Sequence, residues 1–481
     1  MYTTVAAEQT VSLAPHEVFA LFGSAHATGW LFSARCDAVA PGAIVSMQLP
    51  LDERGGSRGV DILGRLTRVV PGAIIDIEHT QPWRGRISLR FRPAGARRTR
   101  VQVRASVPLE GVQWLLHRRG LPLPEPADDG AVRLGVITSA SGTGAVYSMS
   151  AELMAELAVD EINADGGIAG RRARLVIADD ATDADQAADE ARRMVRLGCR
   201  VVFVNSTSAS FDAVRRAVRG RKVLVVHTVV NEGGGVSPTV VRLGERPQAQ
   251  LDALAGPVMR RADARRWFFV GQTYVWSHGA HAAARRAVSR AGGQVAGEDL
   301  APLGTTDFSD TLDRIQLSGA DLVLSTLVGA DEVAFERQSE AAGLRGSTRT
   351  VSLVLEESTL AHIGPRASAG LQTALSYFQD NPLPGNADLL ARYRAAYGPW
   401  APPVTSLSET VYEAIHQYAR ILHVDPEGDA ADHGRALSRR RRGSQGDAIG
   451  SRDLVAPALY VAEAGPSGLE IVEAVPEKAG A

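Results

Sequence analysis

Two groups of side chains in this sequence have residue types that bind metal ions in proteins. His278 and His281 are three residues apart at the predicted start of a helix, but no third metal ligand is near them in the sequence. The aspartates of segment 179–185 resemble a cation-binding loop, yet the segment lacks the glycine and the distal glutamate of an EF-hand. We therefore predict neither a metal site nor any other cofactor.

Signals for catalysis are also weak. The turn Ser141-Gly-Thr-Gly144 lacks the spacing of a dinucleotide fingerprint or a phosphate-binding loop. Residues 1–119 contain no obvious pairing of an acid with a base, and Cys36 and Cys199 lie far apart outside any CxxC motif. The basic run 439–442 is read as a solvated loop. We predict that the protein is not an enzyme.

The composition describes an ordinary globular protein of more than one folding unit. The chain has 481 residues, 45% of them hydrophobic and 22% charged, and a net charge of −2 gives no reason to expect binding to nucleic acid or to an anionic membrane. No apolar run approaches the roughly 20 residues of a membrane helix, and no secretion signal is visible. We expect a cytoplasmic location, with a periplasmic or extracellular one as the lesser alternative.

Residues 1–120 are predicted to form an α+β domain. A short strand from Thr10 leads into a helix over 14–22, several strands follow, and a helix from Glu110 to Arg119 closes the domain. This order resembles the START/SRPBCC helix-grip superfamily, which implies an apolar cavity under the last helix. The proline-rich segment 121–130 is predicted to be a linker.

From residue 131 onwards, strands alternate with amphipathic helices, a rhythm that predicts parallel sheets covered by helices on both faces. Buried strands are predicted at 131–137, 173–178, 200–205, 222–228, 267–271 and 322–326. Parallel sheets bind ligands at the carboxyl ends of their strands.

Several motifs in this region carry a more specific resemblance. Leu134-Gly-Val-Ile-Thr-Ser-Ala-Ser-Gly142 and Leu157-Ala-Val-Asp-Glu-Ile-Asn-Ala-Asp-Gly-Gly167 are similar to the opening of type I periplasmic binding proteins of the Leu/Ile/Val-binding group. Phe269-Val-Gly-Gln-Thr-Tyr-Val-Trp276 and Ser376-Tyr-Phe-Gln-Asp380 resemble the urea and short-chain amide branch. The resemblance covers about 131–475 of a domain predicted to span 131–481.

The resemblance implies two α/β lobes that close on a small polar ligand by a hinge motion. Lobe 1 would contain about 131–246 and 378–430, and lobe 2 about 247–377 and 450–475. It also implies a set of ligand-binding residues, namely Thr207, Ser208, His227, Tyr274, Trp276 and Glu357. His227 stands where the branch commonly has tyrosine.

Each implied site residue has a structural alternative. Ser208 could cap the following helix, and His227 and Trp276 could be packing residues at a lobe edge. Glu357 could hold the hinge or the cleft rim without touching the ligand.

Three functions fit these observations. The first is a cytoplasmic sensor of a small amide, urea or similar metabolite that signals to a regulatory protein partner. Its N-terminal domain would bind a second, more apolar ligand or dock that partner. The second is the substrate-binding component of an ABC importer, with a permease as partner. The third is an enzyme located in the N-terminal domain and regulated by the binding domain.

Overall fold

The computed structural model describes residues 2–23, 33–50, 59–118, 129–235, 237–442 and 458–476. The chain divides into two compact units, Met1–Pro126 and Ala127–Ala481. Most of the predicted linker falls outside the described residues. No helix in the described part of the chain combines the length and apolar character that crossing a membrane would require.

The N-terminal unit is one antiparallel sheet with two helices. Its elements are β1 (Tyr2–Val11), α1 (Pro15–Ala20), β2 (Ser33–Cys36), β3 (Ile44–Pro50), β4 (Gly59–Val70), β5 (Ile74–Gln81), β6 (Gly85–Gly95), β7 (Arg98–Pro108) and α2 (Leu109–Arg118). The seven strands are ordered β1-β7-β6-β5-β4-β3-β2. Alternate residues of β5, including Ile75 and Ile77, are buried on the face that forms the core.

The first strand is longer than the sequence pattern predicts. Instead of starting at Thr10, β1 begins at Tyr2 and pairs with β7 as far as Val11. Its residues are almost all exposed, so the strand shows no apolar alternation that a sequence pattern could detect. Backbone hydrogen bonds to β7 hold this strand in place, since its side chains are not buried.

The second unit begins with alternating parallel strands and helices. The first series is β8 (Val132–Thr138), α3 (Ala145–Ala164), β9 (Ala173–Asp179), α4 (Ala184–Arg196), β10 (Val201–Asn205), α5 (Ser208–Ala217), β11 (Leu224–His227) and β12 (Val240–Arg242). These five strands form a parallel sheet in the order β12-β11-β10-β8-β9. This sheet is the centre of lobe 1.

The next series builds lobe 2. It contains α6 (Pro247–Ala262), β13 (Arg266–Gln272), α7 (Val275–Arg290), β14 (Gln294–Ala301), α8 (Ser309–Ser318), β15 (Leu322–Ser325), α9 (Ala330–Ala341), a short 3-10 helix (Leu344–Gly346), β16 (Arg349–Ser352), α10 (Glu357–Ile363), α11 (Pro365–Ser368) and β17 (Gln372–Leu375). In the lobe 2 sheet, these five strands are ordered β14-β13-β15-β16-β17.

The chain then returns to lobe 1 before completing lobe 2. Helices α12 (Asn386–Tyr397), α13 (Ser406–Val424) and α14 (Ala430–Arg442) pack on lobe 1, where α13 contacts α3 and α14 contacts β11 and β12. Strands β18 (Ala458–Gly465) and β19 (Gly468–Pro476) extend the lobe 2 sheet as an antiparallel hairpin beside β17. The stretch between the predicted lobe 1 segment 378–430 and the predicted lobe 2 segment 450–475 falls partly outside the described residues.

Candidate functional site

A cavity lies between the two lobes at the carboxyl ends of their strands. Its empty volume is about 320 Å³, including its opening to solvent. It is lined by Tyr147, Ser206, Thr207, Ser208, Val229, Val230, Tyr274, Trp276, Val328, Val354 and Leu407. Neither acidic nor basic side chains belong to this lining within the described parts of the chain.

Three consecutive hydroxyl groups come from the corner between β10 and α5. The hydroxyl of Ser206 donates to Asp180 at 2.5 Å, and that of Ser208 donates to Glu232 at 2.6 Å. Thr207 is the N-cap of α5, where its Oγ1 accepts from the backbone N–H of Ser210 at 3.2 Å. Because the hydrogens of Ser206 and Ser208 are already donated to Asp180 and Glu232, these two hydroxyls can act only as hydrogen-bond acceptors in the cavity.

Two phenols from opposite lobes supply donors to the same cavity. Tyr147 lies in the first turn of α3 and is 5% exposed, while Tyr274 is the N-cap residue of α7. Neither phenol hydroxyl has a hydrogen-bond partner among the described residues. Burial raises the pKa of both groups, so both remain protonated and can donate.

The charges that act on the two phenols are all negative. Besides burial, Asp180, Glu356 and Asp331 raise the pKa of Tyr147, and Tyr147, Glu232 and Asp331 raise the pKa of Tyr274. The rest of the cavity wall is mainly apolar. The indole N–H of Trp276 already donates to the carbonyl oxygen of Thr326 at 3.0 Å. The cavity therefore offers donors, acceptors and apolar surface without a charged contact.

Comparison with known proteins places this architecture in a family. The family model described as "Periplasmic binding protein" matches residues 131–429, which is more than half of the chain. The chain belongs to the periplasmic binding protein family. Members of this family are binding proteins and not enzymes, and residues before 131 lie outside the match.

Among curated relatives, this periplasmic binding protein is similar to Leu/Ile/Val-binding proteins. It is 30% identical over 198 residues to one from Rhizobium johnstonii, covering 40% of this chain and 53% of that protein. It is 25% identical over 222 residues to one from Escherichia coli, covering 44% of this chain and 59% of that protein. The chain thus spans little more than half the length of these relatives.

Solved structures share the fold over a longer stretch. A periplasmic binding protein from Burkholderia mallei superposes with a TM-score of 0.63 at 19% identity, covering 72% of this chain and 95% of that one. A solute-binding protein of an ABC transporter from R. palustris, solved with benzoate, gives a TM-score of 0.60 at 18% identity, covering 72% and 97%. These likenesses support the predicted two-lobed α/β fold.

Four of the six predicted site residues line the cavity, namely Thr207, Ser208, Tyr274 and Trp276. His227 lies behind it. Its ring stacks on Phe211 with a centroid distance of 4.2 Å, and its Nε2 is 3.1 Å from the carbonyl oxygen of Ser206. Burial lowers the pKa of His227 to about 4. In this periplasmic binding protein, a neutral His227 supports the backbone of the hydroxyl corner.

Glu357 also lies outside the cavity lining. Its Oε1 accepts from the backbone N–H of Gln379 at 2.6 Å, just after the chain leaves β17 for lobe 1. Burial is the largest cause that raises the pKa of Glu357 to about 8. The structure therefore places this residue at a lobe crossing.

A second carboxylate, Glu245, joins the segments that connect the lobes. Its Oε1 accepts from the backbone N–H and the hydroxyl of Ser376, both at 2.6 Å, and from the hydroxyl of Ser406 at 2.7 Å. Glu245 precedes α6, whereas Ser376 follows β17, so one side chain binds two crossings of the chain. We call Glu245, Ser376 and Ser406 the hinge cluster.

Sequence reasoning missed several residues of the cavity. Tyr147, Val229, Val328 and Val354 were not singled out as cavity residues. The three valines lie within three residues of the carboxyl end of a strand, which is the available signal, but valine has no feature that separates a cavity wall from a core. Clusters of metal-binding side chains are absent from the described residues.

Proposed function

We propose that this protein is the substrate-binding component of an ABC importer, and that it captures an uncharged amide-type ligand between its lobes. The observation that supports the ligand class is the cavity lining, in which phenol donors and hydroxyl acceptors stand on apolar walls without a charged side chain. A carboxamide is neutral, and its carbonyl oxygen and N–H₂ group match these donors and acceptors.

Charged ligands fit this cavity less well. An ammonium group would be buried without a carboxylate in contact, and a buried charge that lacks a partner is costly. A ligand carboxylate would meet the field of Asp180, Asp331 and Glu356 around Tyr147. An α-amino acid carries both groups, which argues against the ligand named for the curated relatives.

Three ligands that share one carbon skeleton test the ligand class by calorimetry. 4-Methylpentanamide is neutral, 4-methylpentanoate is an anion, and leucine is a zwitterion. We expect the amide to bind about tenfold or more tightly than the acid, and leucine not to bind. Binding of leucine alone would contradict the amide class but leave the binding function in place. No binding of these three, of urea or of other small amides would contradict the amide class outright.

We favour a function in transport over one in sensing, because relatives of this chain include substrate-binding proteins of ABC transporters. The comparisons do not support the cytoplasmic location expected from the sequence. Fractionation of cells that produce the protein separates the two functions. An importer component must lie outside the cytoplasmic membrane, and recovery in the cytosol alone would favour the sensor.

For the N-terminal unit, we keep the helix-grip domain as a proposal. Its element order of strand, helix, six strands and helix supports this interpretation, as does the placement of β1 beside β7. Organic extraction of the purified full chain, followed by mass spectrometry, would identify an apolar ligand. A chain that takes up none when such compounds are offered would contradict the cavity that this proposal implies.

A further inference from the structure

Among the described residues, the lobes touch at several places besides the hinge cluster, including α10 against α3 and the two rim contacts. In the first rim contact, the backbone N–H of Ala330 in lobe 2 donates to the carbonyl oxygen of Thr143 in lobe 1 at 2.9 Å. In the second rim contact, Glu232 of lobe 1 packs against Gly279 of α7 in lobe 2. In this structure, the two lobes are therefore in contact with each other across the cleft.

The second rim contact leaves no room for a side chain on α7. A Cβ atom added at Gly279 would lie 2.5 Å from the Cβ and 3.1 Å from the Cγ of Glu232. Cβ atoms essentially never approach each other so closely, and the nearest obstacle is the stem of Glu232 and not its flexible end. Either the helix or the loop that carries Glu232 would have to move.

Glycine is otherwise a poor residue for this position. Gly279 lies within α7, which runs from Val275 to Arg290, and glycine inside a helix costs about 1 kcal/mol relative to alanine. Glu232 also accepts the hydrogen bond from Ser208, a residue of the cavity lining. The second rim contact thus connects the ligand cavity to the opposite lobe.

We propose that Gly279 and Glu232 set how closely the lobes can approach, so that glycine at 279 favours closure of the cleft at the expense of helix stability. Replacing Gly279 by alanine then has two effects of opposite sign. It stabilises α7 in the open protein, and it obstructs the closed arrangement. If Gly279 only maintained the fold, its replacement by alanine would not stabilise the protein and hinder closure at the same time.

Disulfide trapping measures closure without any ligand. The variant carries Thr143→Cys and Ala330→Cys at the first rim contact, in a Cys36→Ser background that leaves only the buried Cys199. A disulfide needs Cα atoms about 4.4–6.8 Å apart, so it forms only when the lobes meet. The rate of cross-linking by a mild oxidant, followed on non-reducing gels, reports closure even when the closed state is rare.

We expect Gly279→Ala to slow cross-linking about tenfold, which corresponds to about 1.4 kcal/mol in the closure equilibrium. Its melting temperature should equal or exceed that of the parent. The matched control is Gly256→Ala in α6, another glycine inside a lobe 2 helix, where a Cβ would meet only the end of Arg260 at 3.1 Å. This control should cross-link at the parent rate.

A second variant separates obstruction from damage to the fold. Adding Glu232→Gly to Gly279→Ala removes the obstructing stem and should restore most of the cross-linking rate. Equal rates for Gly279→Ala and Gly256→Ala would overturn the proposal, as would failure of Glu232→Gly to restore the rate. Absence of cross-linking in the parent would overturn it too, because the rim contact would then not form. None of these outcomes depends on the identity of the ligand.

Discussion

The phenol hydroxyls of Tyr147 and Tyr274 are hydrogen-bond donors at the cavity, and we propose that both donate to the ligand. Replacing Tyr147 by phenylalanine removes one donor and keeps the ring. We expect the dissociation constant for 4-methylpentanamide to rise about fivefold, the effect of one neutral hydrogen bond. The melting temperature should stay close to that of the parent, because no bond within the described residues is lost. Calorimetry and a thermal melt measure the two quantities.

Tyr418→Phe is the matched control for this change. The Tyr418 hydroxyl is also buried without a partner among the described residues, but it packs in lobe 1 between Phe203 and His433 and does not line the cavity. Its removal should leave the affinity unchanged. A wild-type affinity in Tyr147→Phe would show that this phenol does not contact the ligand.

For single residues, the sequence predicted some of the side chains that line the cavity but not others. The resemblance to a known family implied that Thr207, Ser208 and His227 bind the ligand. Thr207 and Ser208 line the cavity, whereas the ring of His227 packs against Phe211 behind it. All residues of β11 are buried, so the sequence has no alternation to tell which face of the strand His227 occupies. For a strand that is buried on both faces, only the structure shows which way each side chain points.

At the scale of elements, the hinge cluster connects two crossings of the chain through one carboxylate. Glu245→Ala would leave the donors of Ser376 and Ser406 without their acceptor. We expect a loss of about 2 kcal/mol in the free energy of unfolding, measured by urea denaturation. Glu245→Gln keeps an amide oxygen in nearly the same place and should lose less than half as much. Equal losses in both variants would contradict a role for these hydrogen bonds.

Elements were predicted best where helices and strands alternate. The predicted strand 173–178 is β9 (Ala173–Asp179), and the predicted strand 200–205 is β10 (Val201–Asn205). Continuous β-branched runs between amphipathic helices give a strong pattern in such folds. The prediction singled out no strand over Gln294–Ala301, where β14 is an edge strand of mixed polarity whose residues are mostly half-buried or exposed.

At the scale of the whole molecule, the two units should respond to acid in opposite directions. In the N-terminal unit, burial lowers the pKa of His79 to about 4. The unfolded chain then binds a proton below about pH 6.5 that the folded unit does not, so stability falls with pH. From pH 7 to 5.5 this effect amounts to about 1 kcal/mol.

Buried acids dominate the response of the second unit. Burial raises the pKa of Glu357 to about 8 and that of Asp180 to about 6, so the folded unit binds protons that the unfolded chain releases. Stability therefore rises as pH falls through these values. His227 opposes this gain, because its pKa is lowered to about 4. We expect the free energy of unfolding of the second unit to increase when the pH is lowered from 7 to 5.5.

Calorimetric scans at pH 7 and 5.5 measure both responses. The transition of the N-terminal unit should move down by a few degrees, and that of the second unit should move up. His79→Gln should remove most of the first shift, and Glu357→Gln should reduce the second. Parallel shifts in the two units would contradict the assignment of these groups.

The return of the chain to lobe 2 has a consequence for synthesis on the ribosome. Strand β17 ends at Leu375, but its neighbour β18 starts at Ala458 and the hairpin closes at Pro476. Lobe 1 has all its strands once β12 ends at Arg242, whereas the lobe 2 sheet has an open edge while the next hundred or so residues are made. An unpaired edge strand invites pairing with other chains. The nascent protein is therefore most exposed to misassembly at β17, late in translation, long after the strands of lobe 1 have left the ribosome.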